Sequence, residues 1–237
     1  MGWARASELD RVLSCVGSNR LVHLRTPSEG AQRAADWGTA VHQWKEGNDF
    51  KLDEGTERTF QKKLERVGDF RTAFWPGGQH EQAFSFNCIT GAVDSRIGSR
   101  AALDRWKDSQ PIECVTGTAD YTDELLGMLW VDDLKTGMSC PEPDGTGQLF
   151  FYCLCLSLWE TGGIEDTLSS VTHWPKYPLD GLPNRKQALL PAARLVRFHN
   201  FLMLKYAEWE KNRGEVTPGE HCLYCPALDC PSWKEFN

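Results

Sequence analysis

Apolar and polar residues alternate in "EQAFSFNCITG" (81–91), the period of a half-buried strand. "IECVTGTADYT" (112–122) and "GMLWVDDLKTG" (127–137) predict two more strands. "LSSVTHWP" (168–175) predicts a further strand, stopped at Pro175. Elsewhere the period is helical. Ser7 followed by Asp10 has the form of a capping box and predicts a short helix from Glu8 to about Ser14. Residues 15–30 read as loop. "AQRAADWGTAVHQWKEG" predicts a helix ending at Gly47, and "TERTFQKKLERVGDF" a second. "GQLFFYCLCLSLWETGG" is a strongly apolar helix closed by Gly162. Residues 185–215 predict one long helix, kinked or started at Pro191. Strands grouped between helices predict an α/β fold with a mixed sheet flanked by helices.

One strand carries charge where burial is expected. Trp130 to Gly137, "WVDDLKTG", puts Asp132, Asp133 and Lys135 inside an apolar run. Buried charges need a partner or a metal. Asp120 and Asp133 are equidistant from Leu126–Gly127, where glycine suits a turn. A hairpin about that point sets the two carboxylates opposite each other, with Cβ atoms about 4.5–5.5 Å apart. Such a pair repels unless a proton or cation lies between them. Lys135 points to the same face as Asp133, and Asp132 to the other. Two carboxylates beside a lysine suit Mg²⁺ or Mn²⁺ and a metal-activated water that the lysine positions. A surface hairpin with a salt bridge is the plainer reading of these residues alone.

Composition narrows the class. The 237 residues are 41% hydrophobic and 25% charged, enough for one large globular domain, and no apolar run reaches membrane-spanning length. The start, "MGWARASELD", has neither a secretory apolar stretch nor a myristoylation pattern, so a reducing compartment is expected. There the nine cysteines serve as metal ligands or free thiols rather than disulfides. A net charge of −7 argues against a non-specific nucleic-acid coat, but not against an enzyme with an acidic metal site and local basic patches. Candidate patches are Arg96, Arg100 and Arg105 with Lys107, and Lys62 and Lys63 with Arg66; each alone reads as solvated surface.

Two helices carry polar pairs at i, i+4: Gly38 with His42, and Gln148 with Tyr152. Gly38 would allow close approach to another backbone. Gln148 and Tyr152, on an apolar helix, need partners such as a phosphate or the lysine. The set, in chain order, resembles the RecB-like branch of the PD-(D/E)XK nuclease superfamily. The matching pieces are the Gly-x-x-x-His helix at Gly38–His42 and the Gly-x-x-Asp strand in "GTAD" (117–120). With them go the Asp-x-Lys-Thr strand in "DLKT" (133–136) and the Gln-x-x-x-Tyr helix at Gln148–Tyr152. The superfamily's proline is absent, since Thr118 and Ala119 precede Asp120.

The resemblance implies a restriction-endonuclease-like core at about 31–175 in a single domain spanning 1–237. It implies that His42, Asp120, Asp133 and the Leu134 carbonyl hold Mg²⁺ or Mn²⁺. Lys135 would orient the attacking water, and Gln148 and Tyr152 would line the DNA side. The implied activity is a metal-dependent DNA exonuclease on single-stranded ends, in recombination, repair, phage DNA processing or CRISPR adaptation. No G-x-x-x-x-G-K-[ST] motif occurs, so duplex would have to be opened by a helicase or another recombination or adaptation partner. The expected location is the cytoplasm of a prokaryotic or phage-infected cell, with no membrane partner. The rival class is a non-catalytic DNA-binding or scaffold subunit that keeps the fold.

"HCLYCPALDCP" holds Cys222, Cys225 and Cys230, and three thiolates this close repel unless metallated. Cys15 is the best fourth ligand, with His221 a possible substitute. Four thiolates suit zinc or an iron–sulfur cluster. One N-terminal cysteine plus C-x-x-C-x-x-x-x-C resembles the AddB-type and CRISPR-associated iron–sulfur nucleases. That implies a [4Fe-4S] clasp joining residues 8–20 to 213–237, with zinc the alternative. Cys153 and Cys155 read as core. Cys88, Cys114 and Cys140 read as inert thiols, and Trp44 and Trp174 as packing.

Overall fold

Strands β4 (Cys114–Leu125) and β5 (Met128–Lys135) meet at a two-residue turn, Leu126–Gly127, the expected midpoint. Both turn residues have positive φ, 55° and 79°. That turn shares the twist of its strands and fixes their register. The computed structural model describes residues 3–15, 18, 29–45, 47, 54–211, 216–219, 222 and 230.

The hairpin sits mid-sheet. β1 (Ala4–Arg5), β2 (Gln79–Asn87), β3 (Val93–Ile97), β6 (Thr167–His173) and β7 (Asn184–Leu190) complete seven strands; six run in the order β3-β2-β4-β5-β6-β7, and β1 pairs with β4 off that path. β5 and β6 are parallel, and the other pairs on this path are antiparallel. The parallel pair needs a crossover, which helix α6 (Gly147–Thr161) supplies. β2 occupies one edge of β4 along nearly its whole length. On the other edge β5 pairs with Tyr121–Leu125, while β1 pairs in parallel with Val115 and Thr116. The ladder on that edge is therefore open from Gly117 to Asp120.

Each face of the sheet is covered. Val131, Leu129, Phe84, Phe86 and Val171 pack with α6, the N-terminal segment and α7 (Ala192–Lys211). Trp130, Leu134 and Tyr121 pack on the opposite face against a mainly aromatic cluster. That cluster is Trp37 and Val41 of α2 (Glu29–Lys45), Phe60 of α3 (Glu54–Val67), and Phe70, Trp75 and Trp174. A four-residue helix, α4 (Arg71–Phe74), lies between α3 and β2. Trp44 and Trp174 are packing residues, as expected, with ring centroids 5.4 Å apart.

Several expectations change. The N-terminal helix starts with a 3-10 turn at Ala6–Glu8 and continues as α1 (Leu9–Ser14). Glu8, not Asp10, accepts from the backbone at its start, at Arg5 N. Asp10 instead accepts from Gly147 N at 2.7 Å and caps α6, a long-range partner that local sequence does not display. Residues 185–190 form β7, and α7 begins after Pro191, whose ring cannot continue a ladder. β3 and α5 (Arg100–Asp108) occupy a stretch with no clear period. The expected loop at 15–30 falls largely outside the described residues, but α2 already starts at Glu29.

Lys63 and Lys107 are not solvated surface. Lys63 is fully buried over the Trp174 ring, with its ammonium 2.7 Å from the Pro178 carbonyl. Lys107 is nearly buried, 2.9 Å from both Asp104 Oδ1 and Thr118 Oγ1.

Candidate functional site

The hairpin register continues one step beyond Tyr121–Asp132 to set Asp120 opposite Asp133. Both carboxylates are buried and face the α6 side, while Asp132 faces the aromatic side. Asp133 Oδ2 is 2.6 Å from Lys135 Nζ. Lys135 Nζ donates to Gln148 Oε1 at 3.0 Å, and Gln148 Nε2 donates to Tyr152 OH at 3.2 Å and Asp133 Oδ1 at 3.5 Å. Gln148 thus meets both the lysine and its acid. The i, i+4 pair on α6 finds the partners that an apolar helix demands.

α2 brings His42, whose Nδ1 is 3.3 Å from Asp120 Oδ1. A Cβ added at Gly38, one turn earlier, would lie 2.9 Å from Thr136 Oγ1. Glycine there lets α2 approach the end of β5, against a side chain rather than the expected backbone. At Gly117 a Cβ would lie 2.6 Å from Ala6 Cβ and 2.7 Å from Tyr152 Cε1, so only hydrogen fits. Asp120 Oδ2 accepts from Leu134 N at 2.7 Å, which ties the two strands together at the acid pair.

Sequence reasoning missed Lys45, Glu81 and Arg5, and named Arg100 and Lys107 only as members of a candidate basic patch. Lys45, one turn beyond His42, donates to the Asp120 backbone carbonyl and lies 5.2 Å over the Trp75 ring. Its helical spacing from His42 was the available signal. Glu81 of β2 is buried, and its Oε2 is 2.8 Å from Arg100 Nη1. Arg100 and Lys107 of α5, with Arg5, line a cleft of about 550 Å³ that also contains His42, Asp120, Asp133, Lys135, Gln148 and Tyr152. No local pattern linked Glu81 or α5 to the acid pair.

Charge and burial compete here. Burial raises Asp133 to about 6, with Asp120 adding to the rise and Lys135 opposing it. Burial opposes ionisation of Asp120 too, but His42, Lys45 and Lys135 outweigh it and hold its carboxyl below the usual range. For His42 burial pulls downward, and the Asp120 charge outweighs it and raises the imidazole. Burial, outweighed by Asp133 and Asp120, leaves Lys135 raised.

Two buried atoms facing this centre, His42 Nδ1 and Asp133 Oδ2, make no well-directed hydrogen bond. His42, Glu81 and Asp120 each offer a ligand atom within 4.8 Å of the others. Carboxylate oxygens gathered with one imidazole fit a hard divalent cation.

Cys153 and Cys155 are fully buried, and burial lifts both thiols, Cys153 to about 12. Burial raises Cys88, Cys114 and Cys140 as well. Cys15 is buried after α1, and its Sγ accepts from Thr217 N at 3.4 Å, joining the N-terminal helix to the tail. Cys222 and Cys230 are also buried. Cys225 and His221 lie outside the described residues.

Among the described residues no helix is long and apolar enough to cross a membrane. A family model of the PD-(D/E)XK nuclease superfamily matches residues 6–230. No curated protein matches the chain. A solved structure, the crystal structure of SSO0001, is similar at 14% identity over 96% of this chain and 85% of its own. Its TM-score of 0.39 is too low to carry an argument.

Proposed function

Because the chain belongs to the PD-(D/E)XK nuclease superfamily, we propose that it is a divalent-metal-dependent deoxyribonuclease of the RecB-like, cysteine-clasped branch, acting as an exonuclease on single-stranded DNA ends. The observation that carries this reading is the Asp120–Asp133 pair in one cleft with Lys135, His42 and Gln148.

His42, Asp120, Asp133 and the Leu134 carbonyl would hold Mg²⁺ or Mn²⁺. When bound, the ion supplies a more acidic water and neutralises charge on the phosphate. Lys135 orients that water, and Gln148 fixes the lysine between its own amide and Asp133. Tyr152 stays a neutral donor, because burial raises its phenol. Arg5, Arg100 and Lys107, along the cleft, offer cations to backbone phosphates despite the acidic whole. Phosphate contacts of this kind carry no base preference.

A [4Fe-4S] cluster on Cys15, Cys222, Cys225 and Cys230 would close the chain ends. The Cys15–Thr217 contact supports this, since it already brings the tail to α1. With the cluster bound, the whole chain is one nuclease domain.

The test uses protein purified without oxygen and end-labelled single-stranded DNA with Mn²⁺. The parent should shorten the strand stepwise and Lys135→Ala should not. Binding without cleavage by a metal-loaded parent would move the assignment to a non-catalytic DNA-binding subunit.

A further inference from the structure

The hairpin ladder stops one step short of the two acids. Its last pair is Tyr121–Asp132, and beyond it Leu134 N turns to the Asp120 carboxylate. Ladder bonds between β4 and β5 therefore do not by themselves set the Asp120–Asp133 spacing. The groups that brace the acids lie behind them, on the aromatic face of the sheet.

In "RTAFWPGG" (71–78) Pro76 cannot extend the short helix α4, and Trp75 closes it, its backbone N–H donating to Arg71 O at 2.7 Å. Gly78 then passes so close to β4 that an added Cβ would strike the Thr122 carbonyl. The Trp75 side chain is thereby turned in against the sheet and is 4% exposed. A buried ammonium and a buried indole N–H both need partners. The Trp75 ring lies 5.2 Å from the Lys45 ammonium, which donates to the Asp120 backbone carbonyl. The indole N–H donates to Asp132 Oδ2 at 2.7 Å. Asp132 is held in turn by the Ser170 and Thr172 hydroxyls of β6, and it is the backbone neighbour of Asp133.

One chain of contacts thus runs from Asp120 through Lys45, Trp75 and Asp132 to Asp133. Lys45 also stands one turn from His42 on α2, so the same bracket holds the helix that carries the imidazole. We propose that Trp75 is a positioning residue for the nuclease reaction: with Lys45 and Asp132 it sets the spacing of Asp120 and Asp133, and the approach of His42, from the face of the sheet opposite the cleft. The proposal rests on the metal-dependent reading above. Trp75 does not line the cleft, so its loss acts on metal binding and turnover rather than on the grip on DNA.

The test uses the full protein, purified without oxygen, with end-labelled single-stranded DNA and Mn²⁺. Bound Mn²⁺ is read from loss of the free-ion electron paramagnetic resonance signal. Trp75→Phe keeps an aromatic ring and removes the indole N–H. It should lower kcat and Mn²⁺ affinity about 10–100-fold, the scale of a group that orients a ligand from behind, and leave KM for DNA at the parent value. Lys45→Met should act in the same way, and Lys45→Arg should restore most of the loss. The Trp75→Phe/Lys45→Met double variant should lose far less than the product of the single losses, as members of one network do. Phe70→Leu controls for packing, because Phe70 lies against Trp75, 6.2 Å between ring centroids, and has no polar side-chain atom. It should lower the thermal midpoint and keep the parent kcat. Parent kcat and Mn²⁺ affinity in Trp75→Phe would overturn the proposal and leave the proposed function standing. A loss of kcat in Phe70→Leu as large as in Trp75→Phe would overturn it too. If Trp75→Phe does not fold, Lys45→Met with its arginine rescue decides the matter. A parent that neither binds Mn²⁺ nor cleaves would overturn the nuclease reading, and this proposal with it.

Discussion

Lys135 Nζ lies between Asp133 Oδ2, at 2.6 Å, and Gln148 Oε1, at 3.0 Å. The lysine is thereby aimed along the cleft by one acid and one amide. Lys135→Ala should lower kcat at least about 100-fold, the scale of a positioned proton-handling group. Gln148→Ala removes only the outer support, so a loss of about 10–100-fold is expected. Steady-state cleavage of single-stranded DNA checks both. Equal losses in the two variants would mean that Gln148 acts on the substrate directly rather than through Lys135.

The buried charges give the metal-free protein a pH signature. Burial raises Asp133 from 3.8 to about 6, so the folded chain holds more protons than the unfolded chain across that interval. His42 is raised above 6.5 by Asp120 despite its burial, and holds an excess proton from there upward. Both contributions fall as pH rises through their intervals. Asp120, with its depressed carboxyl, contributes stability above about 3.8 that stays constant through the neutral range. With EDTA present, the thermal midpoint should decline as pH rises from 3.8 to about 6, and again above 6.5. Mn²⁺ should recover it most at the alkaline end. Scanning fluorimetry of wild type beside Asp133→Asn reads this, and an unchanged slope in the variant would contradict the assignment to Asp133.

Gly117 explains one glycine of the sequence pattern in steric terms. Its missing Cβ leaves room for Ala6 on one side and the Tyr152 ring on the other. Gly117→Ala overpacks that junction and should cost about 1–3 kcal/mol. Because Tyr152 hydrogen-bonds Gln148, cleavage should fall as well. Urea unfolding gives the first quantity, and a variant as stable as the parent would show that the junction yields.

What could be read in advance depended on distance along the chain. The Asp120–Asp133 pairing was legible because a two-residue turn and a period of two fix a hairpin's register. The i, i+4 pairs on α2 and α6 were legible for the same local reason. Glu81 was not, because β3 and α5 intervene before β4 and nothing local sets the β2–β4 register. β7 was hidden because "RKQALL" runs without interruption into the helical pattern beyond Pro191. Lys63 showed no sign of burial, since its ammonium is satisfied by a distant carbonyl and ring.

Asp132 tests the opposite face of the same strand. It is fully buried and accepts from Trp75 Nε1, Thr172 Oγ1 and Ser170 Oγ, with Arg185 Nη2 at 3.4 Å. Arg185 stacks between Phe74 and Trp130, 4.7 and 4.8 Å from their ring centroids. Removing the acid strands a largely buried guanidinium and several donors, so Asp132→Ala should cost about 3–5 kcal/mol. Asp132→Asn keeps one of the two acceptor oxygens, and the Ser170 or Thr172 hydroxyl can turn to accept from the new amide, so it should cost less. Denaturant midpoints decide it. A mild loss in the alanine variant would mean that water replaces the carboxylate.

The cysteine clasp makes the last prediction. Cys15 and Thr217 already touch across 202 residues, so a cluster shared by Cys15 and the tail would constrain nearly the whole unfolded chain. Loop-closure entropy grows with the logarithm of loop length, so a clip at the two ends removes more of it than a local one. Cys222→Ala should therefore yield colourless protein, without iron or labile sulfide, with a lower thermal midpoint. Cys140→Ala, at a cysteine away from the tail, should keep the colour. If the metal is zinc, the parent is colourless too and elemental analysis finds zinc in place of iron. A brown, stable Cys222→Ala protein would rule out Cys222 as a ligand and return the clasp to ordinary packing.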